Sequence, residues 1–248
     1  MSKFNDFARL HVAGDPLVLF NVWDAGSATA VAKSGAKAIA TGSASVSMAF
    51  GFGDGQEVPL DTAIENAARI VKAVELPVTV DFEGGYATDS ETLAANGRRL
   101  AETGAIACNF EDQVVGTDRL YGIAEQIERI AALRQGVGDA FFINLRTDLF
   151  LKAPSDQHDE ATADAAIERG KAYADAGANG FFVPGLVSLP LVEQISKAVN
   201  LPVNAMHLPN GPTRAEWANA GISRVSHGPF PFMAMQEWLA GEARQALS

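Results

Sequence analysis

The chain has 248 residues, 48% hydrophobic and 20% charged, with a formal net charge of −11; that suffices for one large core and argues against nucleic acid, which is gripped through Lys and Arg contacts to phosphate. The only cysteine, Cys108, excludes an intrachain disulfide and a cysteine-rich zinc site. No run reaches the ~18–20 apolar residues of a membrane helix and the N-terminus lacks the apolar core of a signal peptide, so the expectation is a soluble, cytoplasmic protein without membrane contacts.

The amphipathic start predicts a helix over residues 2–13. Short apolar runs then recur as strands: "LVLFNVW" (17–23), "AIATGS" (38–43), "PVTVDF" (77–82) and "ACNFED" (107–112). "FFINLRTD" (141–148), "GFFVPG" (180–185), "PVNAMHL" (202–208) and "RVSHGP" (224–229) complete the series. Between them lie stretches with helical spacing of apolar residues, such as "DTAIENAARIVKAVE" and "IAEQIERIAALRQG". Several open on Ser, Thr or Asp and close on Gly, as helix caps require. About eight strand–helix units of ~31 residues are what a complete (β/α)8 TIM barrel needs. No linker or low-complexity tract divides the chain, so residues 1–248 read as a single α/β domain. An open doubly wound sheet is the competing architecture, but no glycine-rich dinucleotide fingerprint follows the first strand. The initial helix would close the bottom of the barrel, and "FMAMQEWLAGEARQAL" would be its eighth outer helix.

In such a barrel the chemistry sits at the C-terminal ends of the strands. Read in order, those ends offer Trp23 and Asp24, then Gly42, Ser43 and Ala44 with Asp54 in the glycine-rich loop beyond. Asp81 and Glu83 follow, then Glu111 and Asp112, Arg146 and Asp148, His207, and His227. Asp81 and Glu83 stand two apart and share one face of a strand. If that face is the lumen, Glu111 joins them, and such a cluster of carboxylates calls for a cation. Oxygen donors without a Cys or His cluster suggest Mg²⁺ or Mn²⁺, and Arg146 would grip a carboxylate or phosphonate in a two-pronged contact. Against this, a strand-end acid is often only a helix cap; Asp89 or Ser90 fits that role. Asp112 and Asp148 read as salt-bridge or backbone-bonding partners, Cys108 as an inert core thiol, and His11 and His158 as surface residues.

"TGSASVSMAFGFGD", "VDFEGGYA", "NFEDQ" and "INLRTD", in that order on consecutive strands, resemble the isocitrate lyase/phosphoenolpyruvate mutase superfamily, most closely its short mutase-like members. The resemblance implies that Asp81 is the direct Mg²⁺ (or Mn²⁺) ligand, with Glu83, Glu111 and Asp54 reaching the metal through water. It implies that Gly42, Ser43 and Ala44 cradle an α-oxo acid while Arg146 binds the other end. Trp23 and His207 are further candidates for substrate contact, and Glu111, Arg146, Arg119 and Tyr121 for catalysis, the last two as loop residues that could close over substrate. Such enzymes make or break a C–C or P–C bond beside an α-oxo acid through an enolate. The lyases carry a catalytic Cys in the loop after strand 4, whereas "QVVGTDRLYGIAEQ" has neither Cys nor His. The expected function is therefore a Mg²⁺-dependent lyase or decarboxylase of an oxaloacetate-like α-oxo acid. Phosphonopyruvate hydrolase or phosphoenolpyruvate mutase chemistry, and non-catalytic α-oxo acid binding, are the alternatives. The resemblance also implies a homo-dimer or homo-tetramer, in which the eighth helix can be exchanged between barrels.

Overall fold

The computed structural model describes residues 2–248. In chain order its first half runs α1 (Lys3–Arg9), β1 (Leu17–Leu19), α2 (Ala25–Lys33), β2 (Ile39–Ala40), α3 (Ser43–Phe50), α4 (Leu60–Ala73), β3 (Val78–Asp81), α5 (Ser90–Glu102), β4 (Ala107–Glu111) and α6 (Ile123–Val137). The second half runs β5 (Phe142–Arg146), α7 (Leu149–Lys152), α8 (Glu160–Asp175), β6 (Gly180–Phe182), α9 (Leu189–Ala198), β7 (Val203–Met206), α10 (Arg214–Asn219), β8 (Arg224–Ser226) and α11 (Phe230–Leu247). All eight strands pair in parallel in the order β1-β8-β7-β6-β5-β4-β3-β2. The ring closes just beyond β1, where Val22 N–H donates to Ala40 O at 2.8 Å and Val22 bridges Thr41. This is the single (β/α)8 barrel that the strand–helix rhythm implies.

The helices start and stop where side-chain chemistry allows. Asp24, Asp89, Asp159 and Thr213 each accept a backbone N–H of the first turn, satisfying donors that have no intrahelical partner. Asp89, rather than Ser90, is the cap before α5.

Alternation along the strands divides the interior in two. Val80, Cys108, Phe110, Ile143, Leu145, Phe181 and Val225 face outward and join one apolar cluster with the helices. Each fully buried aliphatic or Phe side chain there stabilises the fold by roughly 1.5–3 kcal/mol. A second, smaller cluster fills the floor of the lumen, where Phe7 of α1 meets Leu17, Leu19, Ala38, Ala40, Ala107 and Phe142. The plug helix is shorter than the sequence suggests, ending at Arg9. His11 is not a surface residue: it follows Phe7 by four positions, and its ring stacks on Phe142 at 4.6 Å, 18° from parallel. Its Nδ1 lies 3.0 Å from Phe7 O. Burial, with the charge of Arg224 in support, pushes its pKa down to about 3. His158 is likewise only part-exposed, its Nε2 3.1 Å from Ala153 O.

The outer layer is open beside β1. After Phe232, which packs edge-on against Trp23, α11 turns Met233, Trp238 and Leu239 to solvent at 50%, 63% and 55% exposure. Beside β1 lies a groove of about 850 Å³ lined by Leu10, Val12, Val18, Phe20, Val31 and Ala36 among others.

Candidate active site

The ends of β2 to β5 converge on a polar cavity of about 350 Å³ at the C-terminal mouth. Ser43, Asp54, Glu83, Glu111, Gln113, Thr117, Asp118, Arg146 and Lys152 line it, together with Gly55 and Gly116. Asp81 ends β3 beneath the lining and is held from three directions. Its backbone N–H donates to Thr41 Oγ1 (2.9 Å), its Oδ2 accepts from Ser43 N–H (2.9 Å), and its Oδ1 accepts from Asn109 Nδ2 (3.3 Å). Ser43 opens α3, so the positive end of that helix faces the carboxylate.

Glu83 lies past the end of β3 and is 3% exposed. Its Oε2 accepts from Gln56 N–H at 2.7 Å and its Oε1 from the Tyr86 hydroxyl at 3.3 Å. Burial, then Asp81 and Asp54, push its pKa up to about 7. Three non-glycine residues here have left-handed backbone: Gln56 (φ 63°), Glu83 (φ 50°) and Tyr86 (φ 56°). They bond one another, with Gln56 Oε1 accepting from Tyr86 N–H at 2.5 Å. Strain concentrated in three mutually bonded residues is a feature of functional sites. Gly85 also sits at φ 75°, where a Cβ would come within 2.3 Å of Leu93 Cδ1, so this position must be glycine.

Glu111 at the end of β4 accepts from Arg146 Nη1 at 2.9 Å and from Gln113 Nε2 at 3.1 Å. Arg146 Nε and Nη2 grip the two oxygens of Asp148 at 2.5 and 2.9 Å. Burial works against the Arg146 charge, but Glu111 and Asp148 outweigh it and keep the guanidinium protonated. Burial raises Glu111, with Arg146 opposing and Asp148, Asp81 and Glu83 adding to the rise. Asp54, at the exposed rim, is raised by desolvation and by Asp81. Asp112 turns away from the cavity. It bonds Arg169 at 3.0 Å, the Tyr173 hydroxyl at 2.9 Å and the Asp148 N–H at 3.0 Å, the structural role that its position in the sequence suggests. Cys108 points outward, fully buried, and burial pushes its thiol up.

Below the mouth, the lumen is polar across four strands. Asn109 Oδ1 accepts from Asn144 Nδ2 (2.9 Å) and from Arg224 Nη2 (3.1 Å). Asn144 Nδ2 also reaches Asn204 Oδ1 (3.1 Å), which takes a longer bond from the Ser226 hydroxyl (3.3 Å). Arg224 is 1% exposed, and burial lowers its pKa to about 9 against the pull of Asp81 and Cys108.

Of the residues singled out from sequence, Asp54, Glu83, Glu111, Ser43 and Arg146 line the cavity, and Asp81 lies directly behind it. Gly42 and Ala44 flank Ser43 but are not part of the lining; Gly42 N–H is bonded to Val22 O at 3.4 Å. Trp23 packs against Phe232. His207 pairs with His227 at 4.5 Å between ring centroids, outside the acid-lined cavity. Arg119 and Tyr121 also lie off it. The loop after β4 doubles back through a Gln113–Leu120 bridge and the Val114 N–H to Arg119 O bond. Thr117 and Asp118 at its tip therefore face the cavity, whereas Tyr121 stacks under the Arg129 guanidinium, 4.2 Å from the ring centroid. Sequence reading missed Gln56, Tyr86, Gln113 and Lys152. Lys152 comes from α7 and ties down the loop through a 2.7 Å bond to Thr117 O; no motif spacing links those two positions.

The residues present fit a hard cation. The acids offer only oxygen donors, and burial first, then repulsion from Asp81, raises Glu83 and Asp54, a cost that a bound positive charge would relieve. Among the described residues no three His, Cys, Asp or Glu side chains are gathered closely enough to enclose an ion directly. The set therefore suits an ion held by one carboxylate, Asp81, and water, with the other acids around it.

A family model described as phosphoenolpyruvate phosphomutase matches residues 7–247. A solved structure from Burkholderia cenocepacia J2315, described as a candidate phosphonomutase, is 47% identical with a TM-score of 0.95 over 98% of both chains. Phosphonopyruvate hydrolase in complex with oxalate and Mg²⁺ has the same fold at a TM-score of 0.84, with 18% identity over 99% of this chain and 88% of that one. The 2-methylisocitrate lyase of Escherichia coli (strain K12) is 29% identical over 154 residues, 59% of this chain and 49% of its own length. The oxaloacetate decarboxylase of Pseudomonas paraeruginosa (strain DSM 24068 / PA7) is 28% identical over 187 residues, 71% of this chain and 61% of its own.

Proposed function

Because the chain belongs to the phosphoenolpyruvate phosphomutase family of the isocitrate lyase/phosphoenolpyruvate mutase superfamily, we propose that it is a divalent-metal enzyme that cleaves a C–C bond of an oxaloacetate-like α-oxo acid. The observation that carries this reading is the cavity where Glu83, Glu111 and Asp54 surround Ser43, Arg146 and Lys152, with Asp81 behind it. Mg²⁺ or Mn²⁺ there would act as a Lewis acid toward the oxygen of an enolate. Asp81 would hold the ion, and Glu83, Glu111 and Asp54 would order its water. Arg146, locked by Glu111 and Asp148, presents fixed positive charge to a substrate carboxylate without having to reorganise. Lys152 adds a second cation at the mouth. Decarboxylation breaks one C–C bond, releases CO₂ and requires one proton on the resulting enolate carbon. It makes no demand for the Cys that the loop after β4 lacks, and an oxaloacetate decarboxylase is among the relatives.

P–C bond chemistry is the second reading, favoured by the 47% identity to the candidate phosphonomutase. The deciding measurement is a screen of purified protein on oxaloacetate, phosphonopyruvate, phosphoenolpyruvate and 2-methylisocitrate, with Mg²⁺ or with chelator. The expected result is Mg²⁺-dependent pyruvate formation from oxaloacetate, reduced at least ~10³-fold by Asp81→Ala. Phosphate release from phosphonopyruvate without oxaloacetate turnover would establish the P–C reading. Oxalate binding with Mg²⁺ but no turnover would mark a non-catalytic binder, and full activity in Asp81→Ala would refute the metal site.

The reading extends to assembly. The apolar residues that α11 turns to solvent and the groove beside β1 support a homo-oligomer in which α11 of one copy fills the groove of another.

A further inference from the structure

Arg224 is a buried cation without an ion pair. It lies at the start of β8 inside the lumen, and among the described residues no carboxylate lies within bonding distance of it. Its Nη2 reaches Asn109 Oδ1 at 3.1 Å, its Nε reaches the Ser226 hydroxyl at 3.4 Å, and Nη1 has no protein partner. A guanidinium with so little compensation is unfavourable unless a negative charge answers it nearby.

The answering charge is one residue away. Asn109 stands between Arg224 and Asp81, paired in register with Asp81 across β3 and β4. A guanidinium is a pure donor and an ionised carboxylate a pure acceptor. An asparagine between the two can serve both in only one orientation, with Oδ1 toward the arginine and Nδ2 toward the acid. The structure has that arrangement, at 3.1 Å and 3.3 Å. Asn144 Nδ2 donates to the same Oδ1 at 2.9 Å, so flipping the amide would set donors against donors on two sides. Asn144 has room because β6 offers Gly180 opposite, where a Cβ would come within 2.6 Å of Asn144 Oδ1.

We propose that Arg224 is a positioning residue for Asp81: through the fixed amide of Asn109 it supplies the counter-charge and the donor that aim Asp81 Oδ1. Ser43 N–H fixes Oδ2 from the other side, so neither carboxylate oxygen is free to turn. The proposal rests on the metal-site reading for its functional consequence, but the contact itself does not.

The test uses the full chain and two readouts. Mn²⁺ binding is titrated by electron paramagnetic resonance for wild type, Arg224→Met, Arg224→Lys and Asn109→Leu. Arg224→Met and Asn109→Leu should each weaken binding about 10- to 100-fold, as loss of partners behind a ligand does. Arg224→Lys, which keeps charge and donor, should recover to within roughly threefold. Urea unfolding of Arg224→Met, Asp81→Asn and the double variant gives the coupling. Losing Arg224 should cost at least about tenfold more in the folding constant, ~1.4 kcal/mol, when Asp81 is present than when it is Asn. If Arg224→Met does not fold, Asn109→Leu, which keeps the branched shape of Asn, carries both readouts. Wild-type Mn²⁺ affinity in Arg224→Met, or additive losses in the unfolding cycle, would overturn the proposal. A wild type that binds no Mn²⁺ would refute the metal reading instead, and the unfolding cycle would then decide the contact alone.

Discussion

Strand β4 sets two regions of the molecule back to back. Cys108 and Phe110 point outward and Asn109 and Glu111 inward, yet all four are within 5% of complete burial. The outward pair joins the apolar cluster under the helices, where each contact contributes on its own and no partner is obligatory. The inward pair is tied to Asp81, Asn144, Arg146 and Arg224, where each polar group is costly unless the others stay in place. Equal burial therefore hides different logic: a buried apolar group needs only close packing, whereas each polar group in the lumen needs its own partner.

The largest effect is expected where the shell is incomplete. Trp238→Asp, on the solvent-facing side of α11, should dissociate the proposed homo-oligomer and lower the thermal midpoint, because subunit association would stabilise each copy by mass action. Sedimentation velocity reads this directly, and an unchanged mass would mean that the groove beside β1 is not filled by α11. Next comes the closed shell. Phe110→Ala should cost about 3–5 kcal/mol in urea unfolding while leaving Mn²⁺ affinity within about twofold. A parallel loss of metal affinity would break the distinction between the two faces of β4.

The floor of the lumen should show the smallest effect. His11, packed neutral beneath Arg224, has a folded pKa of about 3, below the ~6.5 of an unfolded histidine. Above pH 6.5 both states are neutral, and no penalty exists. As pH falls from 6.5 toward 3, only the unfolded state takes up the proton, so stability is lost progressively, about 2.7 kcal/mol by pH 4.5. His11→Phe should flatten that part of the stability–pH curve. An equal acid loss in the variant would show that His11 is already protonated in the folded protein.

Much of this was legible along the chain, for identifiable reasons. Strands and helices announced themselves because Val80, Phe82, Phe110 and Leu145 alternate with polar positions, and because Asp24, Asp89, Asp159 and Thr213 stand where caps belong. Asp54, Glu83, Glu111 and Arg146 were legible as a group, since the barrel sends strand ends to one mouth. Arg119 and Tyr121 do not line the cavity, because proximity in sequence to Thr117 counts for little once the loop doubles back at the Gln113–Leu120 bridge. His11 misled because a polar residue just beyond a short helix looks exposed until Phe142 is found beneath it.

The sequence by itself determined the barrel, its order of strands and the acids at its rim, because each follows from local periodicity, from caps and from residue chemistry. Only the tertiary structure decided that Arg224 on β8 answers Asp81 on β3 through Asn109 on β4. It alone brought Lys152 of α7 onto the loop at Thr117 and left the outer side of β1 beside an open groove. Those choices depend on strands that are neighbours only once the ring has closed, and closure is a property of the whole fold that no local stretch of sequence carries.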